Sequence, residues 1–333
     1  MNNKKVVLVT RPQGRQPTVE DFKIVEEPLP ELGADEVLLA TEHLSIDAFI
    51  RTTLDGDPGF HGTMELDTPV TALGIGRVVN SNFDGLNQGD AVFGPMGAQT
   101  HLVAPGNMFR KLEEDQVPAR SYLGALGMTT GLTAYAGMLT QGEVTEGDTV
   151  VVSAAAGAVG SIACQLAKIR GAKVIGLAGG PAKVDFLVNT IGCDAGIDYK
   201  NDDIDAKLKE YAPDGINVFF DNVGGETLDL VLDNIAKGAR VVICGAISQY
   251  DDLADVRGPK LYLRLAERNA SMRGFTVDNF MADFAKMEAD IAGWMAEGKL
   301  TMPEQVEQGI ESFPEALTML FTGGHMGKLL VAP

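Results

Sequence analysis

The segment that most constrains the fold of this chain lies at residues 150–160 and reads Val-Val-Val-Ser-Ala-Ala-Ala-Gly-Ala-Val-Gly. Its branched residues predict a buried strand, its small residues a tight turn, and the following pattern a helix. In such a turn, glycine lets a pyrophosphate approach the N–H groups of a helix N-terminus. Against G-x-G-x-x-G, Ala155 stands at the first glycine, and Gly157 and Gly160 match the others. We predict a dinucleotide site; the alternative is a turn that only packs helix on sheet.

The rest of the chain predicts an α/β protein with a β-rich first part and a doubly wound parallel sheet. Short β-like runs at 37–40, 76–79 and 102–104 precede residue 121. Beyond it, apolar runs at 149–153, 173–177, 218–220 and 240–243 alternate with helical patterns, which indicates a parallel sheet. A helical pattern with Phe280, Phe284, Met287, Ile291 and Trp294 follows, then a short helix near Phe313 and a β-like run at 328–332.

Length and charge narrow the function. A chain of 333 residues favours two domains. Its 27 basic and 46 acidic residues give a net charge of −19, which argues against nucleic acid and anionic membranes as partners. Residues 149–167 carry no Asp, Glu, Lys, Arg or His, but alanine and glycine make them too weakly hydrophobic for a membrane span. The apolar run at 6–9 is too short for a signal peptide.

The cysteines indicate the compartment. Cys164, Cys193 and Cys244 are far apart and show no C-x-x-C spacing, which fits neither a disulfide framework nor a structural zinc site. We therefore expect a cytoplasmic protein with reduced thiols.

The residues after the second predicted strand indicate which dinucleotide binds. An NAD site places an acidic residue about 20 positions after the glycines, but Leu-Ala-Gly-Gly stands there at 177–180. Lys183 follows, and a cation beside a glycine turn suits a 2′-phosphate. The alternative for Lys183 is an exposed lysine at a helix start. The missing acid favours NADPH over NADH.

Further motifs follow in a fixed order. They are Leu-Gly-Met-Thr-Thr-Gly-Leu-Thr-Ala-Tyr at 126–135, Phe-Asp-Asn-Val-Gly-Gly at 220–225 and Cys-Gly-Ala-Ile-Ser-Gln-Tyr at 244–250. With Ser-Ile-Asp-Ala-Phe-Ile-Arg at 45–51 and Gly-Lys at 327–328, they extend over nearly the whole chain. The chain thereby resembles the zinc-free medium-chain dehydrogenase/reductases, in particular the family of leukotriene B4 dehydrogenase/prostaglandin reductases and alkenal double-bond (curcumin-type) reductases.

The resemblance implies a GroES-like catalytic domain over 1–121, a Rossmann NADP-binding domain over 122–299, a C-terminal return to the catalytic domain over 300–333, and a homodimer. Residues 157–160 would hold the pyrophosphate, Lys183 and Tyr199 the 2′-phosphate, and residues 244–250 would run beside the nicotinamide half. For Asn222, cofactor bonding and simple turn chemistry are equally supported. The implied cofactor-binding residues are Met128, Thr133, Gly157, Ala158, Val159, Gly160, Gly180, Lys183, Tyr199, Asn222, Cys244, Gly245, Ala246, Ile247, Ser248, Tyr250, Phe275, Thr276, Val277 and His325.

Three positions depart from the family pattern. Phe49 replaces a common tyrosine, and His325 stands where an asparagine is usual, so that an imidazole bond would replace an amide contact. The Met-Thr-Thr-Gly stretch is one residue longer than usual, which affects Met128 and Thr133. Tyr250 remains as the candidate catalytic tyrosine.

The chemistry predicted from these residues needs no metal. By the resemblance, Ala-Leu-Gly-Ile-Gly at 72–76 stands where the zinc enzymes of the superfamily have a Gly-His-Glu ligand motif. The histidines at 43, 61 and 101 have no cysteine partners in the sequence, so we expect no metal site. Hydride from NADPH would reach the β-carbon of an enal or enone, with a proton from Tyr250 or water going to the α-carbon. Tyr250 otherwise only shapes the pocket. The alternatives are a zinc-free quinone or carbonyl reductase and a non-catalytic NADPH-binding protein.

Overall fold

The chain forms two compact units in a computed structural model that describes residues 2–56, 61–115 and 117–333. The first unit consists of Met1–Leu123, Asp251–Leu253 and Glu304–Pro333, and the second of Gly124–Tyr250 and Ala254–Pro303. The first is rich in antiparallel strands and the second is α/β, which confirms the predicted fold class. The domain bounds given by the resemblance stay predictions.

The first unit begins with strands that alternate apolar and polar residues, as expected for a half-buried sheet. In β3 the odd-numbered residues Val37, Leu39 and Thr41 are buried, whereas their neighbours are partly exposed. The elements before residue 124 are β1 (Asn2–Leu8), β2 (Phe22–Pro28), β3 (Glu36–Ser45), α1 (Phe49–Thr53), β4 (Leu73–Ser81), β5 (Ala91–Pro95), β6 (His101–Pro105) and β7 (Arg110–Lys111).

The second unit alternates strands and helices. Its central strand β8 is a run of valines buried on both faces, as strands in parallel sheets are. The elements are α2 (Thr133–Tyr135), β8 (Thr149–Val152), α3 (Ala158–Ile169), β9 (Lys173–Ala178), α4 (Pro181–Phe186), β10 (Ala195–Asp198), α5 (Ile204–Tyr211), β11 (Ile216–Asp221), α6 (Gly225–Asp233), β12 (Ile235–Ile243), α7 (Leu263–Glu267), β13 (Ser271–Gly274) and α8 (Phe284–Ala296).

The sheet of the second unit determines where a ligand binds. Its strands lie in the order β10-β9-β8-β11-β12-β13, and every neighbouring pair is parallel. Counted within the unit, this order is 3-2-1-4-5-6, that of dinucleotide-binding folds. The direction of strand addition reverses between β8 and β11, and the crevice at their carboxyl ends is where such sheets bind ligands.

The last part of the chain completes the first unit. It contains β14 (Glu304–Gln308), α9 (Phe313–Thr322) and β15 (Lys328–Ala332). β15 pairs in parallel with β14 and antiparallel with β3, through Leu330 opposite Ser45. Phe313 and Leu317 of α9 join the same apolar core as Leu39 and Leu44 of β3. The core of the first unit is therefore built from both ends of the chain.

The predicted pattern after residue 273 corresponds to a short helical turn at Val277–Asp283 and then α8. Met287 and Ile291 form the buried face of α8. Within the described parts of the chain, no helix combines the length and the apolar character that crossing a bilayer requires.

Candidate cofactor and active site

The turn between β8 and α3 offers unpaired backbone donors. Gly157 is the N-cap of α3, and no side chain caps this end, so the first-turn N–H groups of Ala158 and Val159 are available to a ligand. A Cβ on Gly160 would overlap the carbonyl oxygen of Ala154, which explains why glycine is required there. Ala154 itself has a positive φ of 47°, a strained backbone held in place by the turn. The predicted segment therefore forms a tight turn whose backbone N–H groups can receive an anion.

A buried hydrogen-bond network joins the ends of β8 and β11 at the switch point. Ser153 Oγ donates to Asp221 Oδ1 at 2.8 Å and accepts from the backbone N–H of Asn222 at 2.8 Å. The Asn222 amide donates to the carbonyl of Ser153 at 2.7 Å, which leaves its side-chain oxygen for other partners. Burial raises the pKa of Asp221, although N–H groups of Val223 and Gly224 stabilise its carboxylate. Asn222 is thus held in one orientation at the mouth of the crevice.

The loop after β12 is tied to the same place. The N–H groups of Cys244 and Gly245 both donate to the carbonyl of Asp221, at 2.8 and 3.1 Å. The N–H groups of Ile247 and Ser248 donate to the carbonyls of Asn222 and Val223. The structure therefore brings residues 244–250 together with Asn222.

Tyr250 ends this loop. Its hydroxyl oxygen accepts a hydrogen bond from the N–H of Ala246 at 3.3 Å, so the phenolic proton stays available for donation. Burial, and then the neighbouring Cys244 and Asp221, raise the pKa of Tyr250. Burial also raises the pKa of the Cys244 thiol to about 12. At neutral pH the loop thus presents a protonated phenol and an unreactive thiol.

Two lysines form a positive site at the ends of β9 and β10. A Cβ on Gly179 would lie 2.8 Å from both the Tyr199 hydroxyl and Cε of Lys200, so these groups converge on the glycine turn. Burial, and then repulsion from Lys200, lower the pKa of Lys183. Gly180 has a φ of 97°, which only glycine adopts readily. The predicted residues Gly180, Lys183 and Tyr199 therefore lie together.

The Asp198 carboxylate holds the backbone around this positive site by hydrogen bonds. It accepts from the N–H groups of Gly180 at 2.7 Å and Lys200 at 3.0 Å, and from the Asn201 amide at 2.7 Å. Among the described residues, no carboxylate lies within 4 Å of the ammonium group of Lys183 or Lys200. Asp198 lies close enough to attract Lys200 electrostatically, and a bound anion would be a further partner for the two cations.

Met128 and Thr133 lie at a helical turn of unusual width. Residues Met128–Leu132 form a π-helical turn, and the Thr133 hydroxyl donates to the Met128 carbonyl at 2.7 Å. A π-turn holds one more residue than an α-turn, so it accommodates the extra residue noted in the Met-Thr-Thr-Gly stretch. The remaining hydrogen-bonding capacity of Thr133 is that of an acceptor.

Phe275, Thr276 and Val277 follow β13. The Phe275 ring packs so closely on Gly137 that a Cβ there would lie 2.7 Å from it, and it meets Phe280 edge to face at 6.2 Å. The Thr276 hydroxyl accepts from the Asn279 amide at 3.1 Å. The packing of Phe275 fixes the backbone of this turn at the same sheet edge as the loops after β8, β11 and β12.

His325 and Phe49, the two departures from the family pattern that lie in the first unit, have different surroundings. His325 is buried, and its Nδ1 lies 3.3 Å from the carbonyl of Met319 in α9. Because a carbonyl only accepts, this Nδ1 carries a proton in that contact. The Phe49 ring lies 5.4 Å from the ring of His61, and His61 Nδ1 lies 2.9 Å from the Thr52 hydroxyl. Residues 57–60, which follow α1, lie outside the described residues.

Ser153, Asp221 and Lys200 are polar residues at the site that the sequence analysis did not select. Asp221 could have been predicted from the sequence as an acid at the end of a strand, and Lys200 as a cation that closely follows the end of β10. Ser153 gives no such signal, because its partners lie 68 and 69 residues away. In residues 2–56, 61–115 and 117–333, no three His, Cys, Asp or Glu side chains are grouped as metal ligands would be.

Comparisons with known proteins agree with this architecture. A family described as "N-terminal domain of oxidoreductase" matches residues 4–112, and one described as "Zinc-binding dehydrogenase" matches residues 158–293. The chain is 35% identical to a 2-alkenal reductase (NADP(+)-dependent) of Nicotiana tabacum, over 99% of this chain and 97% of that protein. It is 37% identical to prostaglandin reductase 1 of Bos taurus, over 95% and 94%.

A solved structure extends the similarity to three dimensions. CurA of Vibrio vulnificus, crystallised in complex with NADPH, matches with a TM-score of 0.93 at 34% identity, over 99% of this chain and 98% of that one. The fold and the switch-point crevice define a medium-chain dehydrogenase/reductase of the zinc-binding-dehydrogenase type. Within that class, the chain belongs to the family that contains the alkenal, curcumin and prostaglandin reductases.

Proposed function

We propose that this protein is an NADPH-dependent 2-alkenal/enone reductase, which reduces the C=C bond of α,β-unsaturated aldehydes and ketones. The observation that carries the proposal is the Lys183–Lys200 pair beside Gly180, at the sheet edge where an NAD-dependent protein places an acid. The names of the alkenal and prostaglandin reductases support the class of substrate.

The cofactor would lie along the carboxyl edge of the parallel sheet. The N–H groups at residues 157–160 would hold its pyrophosphate, and Lys183, Lys200 and Tyr199 its 2′-phosphate. Asn222, residues 244–250 and the turn at 275–277 would line the nicotinamide half, and Met128 and Thr133 would contribute from their π-turn. We retain His325, which follows α9, as a predicted cofactor-binding residue; its Nδ1 lies 3.3 Å from the carbonyl of Met319.

Tyr250 would act on the substrate. The bound NADPH supplies a hydride for the β-carbon of the enone. As this carbon is reduced, negative charge develops on the carbonyl oxygen, and a donor at that oxygen stabilises the transition state. The raised pKa keeps the Tyr250 phenol protonated, and its bond from Ala246 leaves the O–H free to donate to that oxygen or to protonate the α-carbon.

The protein would work without zinc, in the cytoplasm, as a homodimer. Ala72–Gly76 offers no metal ligand where a Gly-His-Glu motif would supply one, and the three cysteines are free thiols. β13 pairs with β12 and ends the described sheet order. Tyr262 and Leu263, which precede β13 in the chain, are both 59% exposed. Pairing of two such strand edges would satisfy their open backbone groups. We retain residues 1–121, 122–299 and 300–333 as its GroES-like, Rossmann and returning segments.

Cofactor oxidation over a panel of substrates tests the proposed reaction. We expect NADPH oxidation with enals and enones, little with simple ketones, and much less activity with NADH. Absorbance at the nicotinamide band measures the rate, and mass spectrometry identifies the saturated product. Faster turnover of a quinone or a simple ketone would contradict the proposed substrate class, and NADPH binding without turnover of any of them would indicate a binding protein.

The cofactor preference is tested at the lysine pair. Lys183→Ala removes a charge-assisted contact worth about 1.5–3 kcal/mol, so the Kd for NADPH should rise about 10- to 100-fold. The Kd for NADH should change little, since NADH lacks the 2′-phosphate. Lys237→Ala, on β12, is the matched surface control. Equal effects of Lys183→Ala on both cofactors would contradict the assignment.

A further inference from the structure

Arg51 is a fully buried arginine at the end of the 45–51 motif, in α1. Its Nη1 pairs with the Asp55 carboxylate at 2.9 Å. Its Nη2 lies within hydrogen-bond distance of three backbone carbonyls: Pro12 at 3.0 Å, Arg15 at 2.9 Å and Asp251 at 2.8 Å. One guanidinium therefore joins α1 to two segments that are distant from it in sequence, residues 12–15 and Asp251.

The third of these contacts is the unusual one. Asp251 directly follows Tyr250, and at this peptide bond the chain passes from the second unit to the segment Asp251–Leu253 of the first. Arg51 and Asp251 are 200 residues apart and belong to the same unit. The backbone next to the proposed catalytic tyrosine is thus fixed by a buried charge on another element.

A purely packing role does not explain this geometry. The Nε and Nη1 atoms of Arg51 make no hydrogen bond with any described residue, so the buried guanidinium is costly for packing alone, and an apolar side chain would fill the space at lower cost. The nearby Arg11 already ties this loop together, because it donates to the carbonyls of Leu54, Asp55 and Met64. The two protons of Nη2 are shared among three carbonyls, and the planar guanidinium holds this atom in one direction, whereas a lysine ammonium lies on a flexible stem.

We propose that Arg51 is a positioning residue for the reduction: by anchoring the carbonyl of Asp251, it sets the place of the Tyr250 hydroxyl. The inference rests on the proposed function of Tyr250. Misplacing a reacting group by about 1 Å costs up to about 10²-fold in rate. Arg51 therefore contributes to turnover through Tyr250, without touching cofactor or substrate.

A double-mutant cycle separates this role from a structural one. Arg51→Lys should lower kcat for an enone about 10- to 100-fold and leave the Kd for NADPH within about twofold. In a Tyr250→Phe background the same substitution should change kcat by less than about twofold, because the group that it positions is gone. Arg77→Lys, in the surface pairs with Glu42 and Glu114, controls for the exchange of arginine for lysine. Equal losses in both backgrounds would overturn the proposal.

A glycine inserted between Tyr250 and Asp251 gives a second test that leaves Arg51 intact. The anchor still forms, but Tyr250 is no longer at a fixed distance from it. The insertion should therefore lower kcat as Arg51→Lys does, with the melting temperature unchanged. Wild-type kcat in this variant would overturn the proposal, including in the case where Arg51→Lys does not fold.

Hydrogen exchange distinguishes failure of this inference from failure of the proposed function. In Arg51→Lys, amides at residues 247–256 should exchange faster, and those of β8 and β11 should be unchanged. This measurement does not depend on turnover, so it also decides the matter if the wild-type protein reduces no enone. Unchanged exchange at 247–256 would show that Arg51 does not anchor this segment.

Discussion

Lys183 is the residue whose protonation is most closely linked to the choice of cofactor. Burial and the neighbouring Lys200 lower its pKa, because both disfavour the charged ammonium. A bound 2′-phosphate favours the ammonium and so raises the pKa in the complex. NADPH therefore binds most tightly at a pH below the pKa of Lys183 in the cofactor-free protein, and its affinity falls as the pH rises through that pKa.

Titration of NADPH and NADH between about pH 7 and pH 10 tests this linkage. The Kd for NADPH should rise with pH, beginning below the pH expected for an ordinary lysine, and the Kd for NADH should change little. Lys183→Arg is the control, since a guanidinium stays charged over this range. A slope that persists in Lys183→Arg would assign the effect to another group.

The buried ion pair of Lys328 and Asp47 leads to a prediction about stability. Lys328 is fully buried on β15 and bonds to the Asp47 carboxylate at 2.8 Å, which also accepts from the Ser45 hydroxyl. Lys328→Met removes the cation and leaves a buried carboxylate, so the free energy of unfolding should fall by about 3–5 kcal/mol. Urea denaturation measures it. The pair Lys328→Met with Asp47→Asn should lose less, and a larger loss would contradict the account.

The site residues that could be predicted from the sequence are those that follow the end of a strand at a fixed number of positions. Lys183 and Asn222 follow the ends of β9 and β11 at short distances, so a motif locates them. Ser153 and Asp221 act through hydrogen bonds across 68 residues, which no local pattern indicates. Arg51 belongs to a motif, but its carbonyl partners lie on two distant segments, residues 12–15 and Asp251, and only the folded backbone brings them together.

At the scale of elements, the approach of α3 to the turn after β8 is the most restrictive feature. A methyl group at Gly160 would overlap the Ala154 carbonyl and Cα of Ala155, and these backbone atoms cannot move away as the end of a flexible side chain could. Gly160→Ala should therefore displace α3, lower the free energy of unfolding by about 1–3 kcal/mol and weaken NADPH binding.

Gly293→Ala is the matched control for this substitution. Gly293 lies inside α8, and a Cβ there meets nothing within 4 Å, so alanine should stabilise the helix slightly. Thermal unfolding and NADPH titration of both variants give the comparison. Unaltered NADPH affinity in Gly160→Ala would show that the first turn of α3 does not contact the cofactor.

The elements found from sequence are those whose own residues specify them. The valine run of β8 and the apolar run of β9 are strands in any buried context. β10 reads Ala-Gly-Ile-Asp and β13 reads Ser-Met-Arg-Gly, which look like turn residues. They are strands because β9 and β12 present an open row of hydrogen-bonding groups to them. Tertiary pairing here overrides weak local preference.

At the scale of the whole molecule, the charge of −19 opposes compactness. Salt screens repulsion between surface charges, so raising NaCl from about 10 mM to about 200 mM should increase the melting temperature by a few degrees. The same change should weaken NADPH binding, because it also screens the lysine pair. Differential scanning calorimetry and titration measure the two effects, and a melting temperature that falls with salt would contradict the first.

The order in which the chain is made has a consequence for β15. β3 leaves the ribosome early, whereas its partner β15 and the core residues Phe313 and Leu317 come from the last segment. The second unit is synthesised between them, which takes about 10–40 s at about 5–20 residues per second. It can complete its sheet while the first unit still has an open edge and an unfilled core. Aggregation and chaperone binding during synthesis should therefore concentrate on the strands made first.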